Sequence, residues 1–296
     1  MKPVATHRES ERLPGGPPWR TAPALTVFLY GATCPFACVF CDLAQHTHPG
    51  PTPPGALPAQ LAAALAENTP AELAGTTLKL YNASNFFAPR AVPTADLPAL
   101  ARLAAPCARV VVENHPRLVG DPAREFADAL GGARLEVALG LETIHPEAFP
   151  RLGKGMRLGD FDRAAEFLVR HGLGLRVFVL VGGLFFPVAE ATEWAVRSAE
   201  YALAAGADHV SLIPLRPPAG QPELQAPRLA DLEDALDALL APAAKRGAVV
   251  TVDGWDLERL AACPGCFAAR RERLVAVNVS GEAADRVNCA KCGGVS

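Results

Sequence analysis

The chain has 296 residues, a formal net charge of −3 and a pI of about 6.2. A field of this sign and size does not attract a polyanion over long distances, so the composition argues against broad nucleic-acid binding. Half of the residues are hydrophobic, which is enough to build a large core. The most apolar run, residues 177–189, is broken by two glycines and a proline and is too short to span a membrane, so we expect a cytoplasmic protein that does not enter membranes.

Residues 1–21 are polar, rich in proline and glycine, and contain no apolar run. A secretory signal requires such a run, so this segment does not qualify as one. The composition predicts a loose arm that precedes the first strand.

Residues 22–250 alternate between short apolar runs and amphipathic stretches, which predicts strands that alternate with helices. The predicted strands are 24–30, 77–82, 109–113, 134–140, 174–181 and 208–213, and the predicted helices lie near 58–67, 95–105, 121–130, 159–171, 190–205 and 228–246. This order favours an α/β fold with a parallel sheet and helices outside it. Six strand–helix units favour a partial (β/α)6 barrel over a closed eightfold one.

Residues 251–296 form a predicted C-terminal metal-binding segment. Cys263 and Cys266 make one C-x2-C pair, and Cys289 and Cys292 make a second, with a separation close to that of zinc ribbons. In a reducing cytoplasm such pairs hold metal more often than they form disulfides. Four thiolates fit zinc, or a second 4Fe–4S cluster. We also predict one strand in this segment, at 273–279.

Three further cysteines, Cys34, Cys38 and Cys41, follow the first predicted strand with the spacing C-x3-C-x2-C. Three thiolates together with His46 or His48 would make a closed zinc site. Alternatively, the three thiolates hold a 4Fe–4S cluster, which normally has four cysteine ligands, so that one iron is left for another ligand. We favour the cluster.

The motif, with Phe40 just before its last cysteine, resembles that of the radical S-adenosylmethionine (radical SAM) superfamily. The resemblance covers about residues 22–250. It implies a TIM-like partial barrel, a 4Fe–4S cluster on the three cysteines and S-adenosylmethionine (SAM) bound to the open iron. In this family an electron donor such as flavodoxin or ferredoxin reduces the cluster, SAM is cleaved, and the 5′-deoxyadenosyl radical abstracts hydrogen from the substrate. Phe40 is then expected near the adenine.

Polar residues at the carboxyl ends of the strands are candidates for holding SAM, because parallel α/β folds bind their ligands there. Asn82 and Ser84 stand where the family often has a Gly-Gly-Glu-like stretch that meets the methionine amino group; a solvated polar turn is the alternative. Glu113 is expected to hold the ammonium or the ribose hydroxyls of the cofactor. Its alternatives are an exposed acid and a helix-capping partner.

Four further residues complete the candidates. Glu142 resembles the polar residue that meets the ribose in relatives, and Lys154 is expected to pair with the methionine carboxylate unless it is a solvated surface charge. Arg176 interrupts an apolar strand, so it must be paired or reach a cavity. We expect it to face the barrel interior near the cofactor or substrate, with a structural ion pair as the competing interpretation. Arg216, at the end of the sixth strand, is a candidate for binding substrate anions.

The stretch VALGLETIHPEAFPRLGKGM, residues 137–156, most resembles the branch that contains the Elongator catalytic subunit and the radical subunit of archaeosine synthase. Members of that branch often modify tRNA, which suggests a tRNA nucleoside as substrate; a small metabolite is the competing class. A hypothesis of a different kind is a non-enzymatic metalloprotein whose Fe–S or zinc centres carry electrons or stabilise a binding module.

Overall fold

The computed structural model describes residue 3, residues 5–260, residues 263–291 and residues 294–295, the last two by their backbone only. Its main feature is one eight-stranded sheet, in which β1 is antiparallel to β2 and the other strands follow in chain order as parallel neighbours. The strands are β1 (Ala5–Leu13), β2 (Arg20–Phe28), β3 (Thr77–Tyr81), β4 (Arg109–Asn114), β5 (Arg134–Glu142), β6 (Gly174–Val181), β7 (His209–Pro214) and β8 (Val249–Val252).

Helices connect the parallel strands, as the alternating pattern predicts. They are α1 (Ala56–Leu65), α2 (Pro70–Ala74), α3 (Leu97–Ala104), α4 (Asp121–Ala129), α5 (Leu158–Arg170), α6 (Ala191–Ala204), α7 (Leu229–Ala244) and α8 (Phe267–Ser280). The expected α/β near-barrel with outer helices is confirmed. Val249–Val252 is a seventh parallel strand, which the sequence analysis missed because only four residues extend the sheet there.

The strands divide their side chains between two faces with a period of two. On β3, Leu78 and Leu80 join the apolar core that includes the helices. Lys79 and Tyr81 alternate with them and meet residues of other strands across the barrel interior. Polar groups inside the barrel therefore have to find partners among themselves or with a ligand.

The expectation of a loose N-terminal arm is wrong, because residues 5–13 form β1. Its register with β2 runs from Ala5 opposite Phe28 to Leu13 opposite Arg20. The segment lacks an apolar run because it contributes charge to the barrel interior: Glu11 lies 2.8 Å from Lys79 Nζ and 2.8 Å from Arg176 Nη2.

Contacts join the two edges of the sheet, β1 and β8. Arg12 donates to the carbonyl oxygen of Val250 at 2.5 Å, and its guanidinium stacks over the Trp19 ring at 4.8 Å. Gly15 N donates to Gly247 O at 2.8 Å. These contacts hold the curved sheet in its near-closed shape.

The predicted strand at 273–279 is wrong, because the residues lie in α8. Arg270, Arg273, Leu274 and Val277 are buried at helical spacing, so two charged residues are part of the packed face. Arg273 pairs with Asp237 of α7 at 2.7 Å. Because arginine counts as polar, the sequence pattern does not reveal this helical face. The apolar residues within 273–279 then favour a strand.

Within the described part of the chain, no helix combines the length and apolarity needed to cross a bilayer.

Candidate active site

The loop that follows β2 carries the three-cysteine motif to the carboxyl edge of the barrel. Cys34 and Cys38 are half-buried and Cys41 is exposed. The loop is tied at two points: Thr33 N donates to His48 O at 2.9 Å, and Val39 N donates to Leu152 O at 3.0 Å. Its second tie joins it to the segment that follows β5.

Two glycines allow that segment to pack directly beneath the cysteine loop. A Cβ on Gly153, whose φ is +70°, would lie 2.6 Å from Ala37 O. Gly155, at φ +64°, packs against the ring of Phe36. A side chain at Gly153 would push the two loops apart, so the GKG sequence is required for Lys154 to reach the site.

Two of the three thiols, Cys38 and Cys41, lie in an environment that disfavours free thiolates. Burial raises the pKa of Cys38 to about 11, which the charge of Lys154 partly opposes, and desolvation of the sulfur raises the pKa of Cys41 although the residue as a whole is exposed. Asn85 Nδ2 donates to Cys34 Sγ at 3.2 Å. Bound metal would supply the missing positive charge, because metal ligation requires deprotonated sulfur.

The distances between cysteine sulfurs differ between a site for a single metal ion and a site for a cluster. Zinc–sulfur bonds of about 2.3 Å put tetrahedral thiolates roughly 3.8 Å apart. In the chain as described, only Cys263, Cys266 and Cys289 bring three such ligand atoms within 4.8 Å of one another. Among the described residues, Cys34, Cys38 and Cys41 do not form such a close group, which is compatible with a cluster that has its own inorganic core.

Asn82 and Ser84, expected to meet the methionine amino group, lie in the turn after β3. Asn82 is fully buried, yet neither atom of its side-chain amide has a hydrogen-bond partner among the described residues. Ser84 Oγ is in the same state. Buried polar atoms are rarely left unpaired, so this pair fits a polar ligand at the site.

Glu113 has hydrogen-bond partners in the backbone of the turn after β3, and its expected contact with the cofactor stays a prediction. Its Oε1 accepts from Asn82 N at 2.8 Å, and the amides of Ala83 and Ser84 also act on it. Burial raises the pKa of Glu113 to about 7 against these three donors. Glu113 thus anchors the backbone of this turn. The turn positions the side chains of Asn82 and Ser84.

Glu142 and Lys154 form a nearly buried ion pair at this edge, with Lys154 Nζ 2.8 Å from Glu142 Oε1. Glu142 has a left-handed backbone, φ +68°, at a register shift in β5. Gly140 is needed beside the pair, because a Cβ there would overlap both Glu142 Oε1 and Lys154 Nζ. Lys154 Nζ also lies 5.9 Å from the centroid of the Phe40 ring. The structure therefore brings three of the expected cofactor residues together.

Arg176 lies at the opposite end of the barrel, near the start of β6, and differs from its expected place beside the cofactor. Its Nε is 2.5 Å from Glu136 Oε1, and its Nη2 is 2.8 Å from Glu11 Oε1. These contacts match the competing interpretation, a structural ion pair.

His115, which the sequence offers only as an unsupported acid–base candidate, is a positioning residue in the structure. Its ring stacks on Phe36 at 3.8 Å, and its Nε2 lies 2.9 Å from Lys154 O. Burial, together with the charge of Lys154, lowers the pKa of His115 to about 4, so it is neutral at pH 7. Its position directly after β4 was the available signal.

Neither protein-family models nor curated protein sequences match the chain. Among solved structures, methylornithine synthase (PylB) superposes with a TM-score of 0.54 and 14% identity over 76% of this chain and 64% of its own. Streptococcus suis SuiB, bound to the precursor peptide SuiA, gives 0.53 and 16% over 77% of this chain and 48% of its own. The protein anSMEcpe, with bound AdoMet, gives 0.50 and 12% over 73% of this chain and 59% of its own.

The chain shares the fold of these three proteins. This confirms at the level of fold the resemblance that the cysteine motif indicates. The chain spans less than two thirds of methylornithine synthase and about half of SuiB.

A second cysteine centre lies outside the barrel, at the start of α8. Cys263 Sγ and Cys289 Sγ are 3.9 Å apart, and Cys266 completes the group of three. Cys266 N donates to Cys263 O at 3.1 Å, the tight turn of a knuckle. The fourth expected ligand, Cys292, lies outside the described residues.

Proposed function

We propose that the chain is a radical SAM enzyme in which Cys34, Cys38 and Cys41 hold a 4Fe–4S cluster. The observation that carries this proposal is the cysteine motif itself: three cysteines with the spacing C-x3-C-x2-C on the loop after β2, at the edge of the barrel where ligands bind. When bound, the cluster and SAM supply a one-electron carbon–sulfur bond cleavage that leads to hydrogen abstraction from the substrate.

The chain's own residues then bind and orient. Asn82 and Ser84 offer the methionine end of SAM the polar atoms that have no partner within the described chain. Lys154, held by Glu142, presents a positive charge to a carboxylate, and Glu142 presents acceptors to ribose hydroxyls. Asn85 Nδ2 donates a hydrogen bond to Cys34 Sγ, and such bonds to sulfur tune the reduction potential of a cluster.

Anaerobic reconstitution tests the proposal, with dithionite and SAM added and 5′-deoxyadenosine measured. We expect wild type and Cys107→Ala to form it, because Cys107 is a buried thiol outside the motif. Cys38→Ala should form none and should retain the C-terminal metal. An intact cluster that yields no 5′-deoxyadenosine would instead support an electron carrier.

For the C-terminal segment, residues 251–296, we propose zinc rather than a second cluster. The 3.9 Å sulfur separation supports a single tetrahedral ion, whose thiolates lie roughly 3.8 Å apart. Elemental analysis of anaerobic protein should find about one zinc per chain and four irons. A Cys263→Ser, Cys266→Ser variant should lose zinc and keep its iron; eight irons in the wild type, or loss of both metals together, would contradict the assignment.

We propose that an acidic electron-transfer protein such as flavodoxin or ferredoxin docks beside the cysteine loop. Two adjoining surface cavities, of about 440 and 680 Å³, lie between the segment after β4 and the start of α5. They are lined by four arginines and two acids, a basic surface on a chain of net charge −3: Arg117, Arg157, Arg163, Arg170, Asp160 and Glu166. Arg117 donates to Gly155 O at 2.7 Å, next to the glycine that supports Phe36 of the loop.

Reversing charge on this surface separates docking from chemistry. With reduced flavodoxin as donor, Arg157→Glu combined with Arg163→Glu should slow SAM cleavage at least about fivefold, because complementary charge governs such encounters. With dithionite the rate should not change. Lys245→Glu, an exposed charge reversal just before β8, is the control. Equal slowing with both reductants would rule out this docking surface.

We propose a tRNA nucleoside as the first substrate class to examine, with a small metabolite as the alternative. The support is the stretch 137–156, which contributes Glu142 and Lys154 to the site. Nucleoside and metabolite profiles of a deletion strain, compared with the complemented strain, decide between the two classes. We also propose a cytoplasmic location, since exposed Cys41 needs a reducing compartment.

A further inference from the structure

The barrel interior changes character along its axis. Towards the amino ends of the strands it is ionic, with Glu11, Lys79 and Arg176 paired. One step closer to the carboxyl edge it becomes aromatic: Tyr81 follows Lys79 on the inner face of β3, and Phe178 follows Arg176 on the inner face of β6. The aromatic layer therefore lies between the ion pairs and the cysteine loop.

Four rings make this layer continuous. Tyr81 lies 6.4 Å from Phe178 and 6.3 Å from Phe28, and Phe28 lies 5.6 Å from Trp255, all in edge-to-face contact. His7 of β1 extends the row, 4.7 Å from Trp255. The rings come from β1, β2, β3, β6 and the loop after β8, so they line one wall of the interior rather than a single element.

The rings remain partly accessible although they lie inside a barrel. Phe28, Tyr81 and Phe178 are half-buried, and Trp255 is 46% exposed. The neighbouring side chains of the same strands that point outward, such as Val27 and Leu80, are fully buried. Accessible aromatic faces in a concave interior are typical of small-molecule sites.

A polar edge adjoins the aromatic wall. Arg216 Nη2 pairs with Asp253 Oδ2 at 3.0 Å and also donates to Trp255 O. Arg216 Nε is buried and has no partner within the described part of the chain. Asp253 neutralises the guanidinium, so this edge offers a donor and an acceptor without net charge. That differs from the expectation that Arg216 binds substrate anions.

We propose that this wall binds the reactive part of the substrate as a flat, uncharged ring, stacked on the aromatic layer and hydrogen-bonded at its edge by Arg216 and Asp253. Rings prefer offset or edge contacts with other rings, which the four aromatic side chains provide. An arginine that is already paired with an acid attracts an anion less than an unpaired arginine does. The inference rests on the proposed function, since it assigns the substrate to the same edge of the barrel.

Three small probes of similar size separate flatness from charge: benzamide is flat with an amide edge, cyclohexanecarboxamide has the amide edge without flatness, and benzoate is flat and anionic. Binding to the reconstituted, full-length protein is followed by quenching of tryptophan fluorescence. We expect benzamide to bind at least about fivefold more tightly than either other probe, the lower end of what one stacking contact contributes.

Substitutions test whether the fluorescence quenching arises at the aromatic wall. Trp255→Phe should lose most of the quenching, whereas Trp194→Phe, on the outer helix α6, should keep it. Phe178→Leu should weaken benzamide binding at least about fivefold in a folded protein. Phe167→Leu, a half-buried ring on the outer helix α5, is the matched control and should leave binding unchanged.

Benzamide binding no better than cyclohexanecarboxamide, or undiminished by Phe178→Leu, would overturn the ring assignment. The wild-type comparison decides alone if that variant does not fold. Formation of 5′-deoxyadenosine without ring preference would sink this inference and leave the proposed function standing. A preference for the flat ring without formation of 5′-deoxyadenosine would support the ring-binding wall and contradict the proposed function.

Discussion

The two ends of the barrel interior differ in how far their buried polar side chains are paired. At the amino end, Glu11, Lys79, Glu136 and Arg176 each have an oppositely charged partner within 2.8 Å. At the carboxyl end, the amide of Asn82 is as deeply buried and has no side-chain partner among the residues described. The amino end is held mainly by its own ion pairs, although Glu11 Oε2 has no partner among the described residues, whereas the carboxyl end leaves a whole side-chain amide unpaired.

This difference indicates which buried polar residues stabilise the fold and which are available to bind a ligand. An unpaired buried amide costs free energy that folding alone gives no reason to retain. An ion-pair network in which each charge already has an oppositely charged partner offers little to a ligand. We therefore expect substitutions at the amino end to change stability alone, and substitutions at the carboxyl end to change SAM binding more than stability.

The largest effect should come from Arg176→Met. It leaves Glu11 and Glu136 without this partner in the barrel interior, and breaking such a pair typically costs about 3–5 kcal/mol of unfolding free energy. Reversible urea unfolding of cluster-free protein measures the loss. Any variant that stays folded should bind SAM like wild type after reconstitution.

Arg170→Met is the matched control, because Arg170 is an exposed arginine on α5 whose loss should stay within about 0.5 kcal/mol. If Arg176→Met instead keeps full stability and loses SAM affinity, the cofactor role first expected for Arg176 returns and the comparison between the two ends fails.

The sequence predicts the parts of the fold that follow regular apolar patterns. β3 and β6 are found within a residue of their predicted ends, because their outward side chains are continuously apolar. β1 and α8 are missed for one shared reason. Each uses buried charges, Glu11 in β1 and Arg273 in α8, and their partners are distant in the sequence, so no local pattern reveals them.

The candidate site shows the same limit. The spacing of Cys34, Cys38 and Cys41 is local, so the motif can be identified from sequence. The roles of Glu113 and Arg176 depend on which end of the barrel each side chain reaches and what faces it there, and neither is encoded within its own strand.

A smaller effect, dependent on pH, is expected for Glu113→Gln. The pKa of Glu113 is raised to about 7 in the folded chain, above its ordinary value of 4.5, so the wild type loses stability as pH rises from about 4.5 to 7. Glutamine does not titrate. The variant should match wild type near pH 5 and exceed it near pH 8 by a margin on the order of 2 kcal/mol.

Urea unfolding at both pH values gives this margin as a difference between two proteins, which cancels the titration of all other groups. A wild type that becomes more stable between pH 5 and 8 relative to Glu113→Gln would show that the three backbone donors outweigh burial. Glu113 would then belong with the satisfied charges of the amino end.

The smallest change in stability, and the most informative, should come from Asn82→Ala. Removing an amide that has no partner in the described chain should raise the unfolding free energy of cluster-free protein by at most about 1 kcal/mol, because the relief of desolvation is partly offset by lost packing. The matched control is Asn114→Ala, also buried, whose amide accepts from Phe87 N at 3.2 Å and donates to His115 O at 3.3 Å. That substitution should lower stability by about 1–2 kcal/mol.

SAM affinity should move the opposite way. Asn82→Ala should weaken SAM binding about tenfold, the equivalent of one lost hydrogen bond to a charged group. Asn114→Ala should leave it nearly unchanged in folded protein. The two substitutions, at buried asparagines that end adjacent strands, are thus expected to have opposite effects on stability and different effects on SAM affinity. This combination is expected only if the amide of Asn82 binds a ligand. If both variants lose stability and both keep SAM affinity, the carboxyl end is as self-sufficient as the amino end, and the polar turn after β3 is structural.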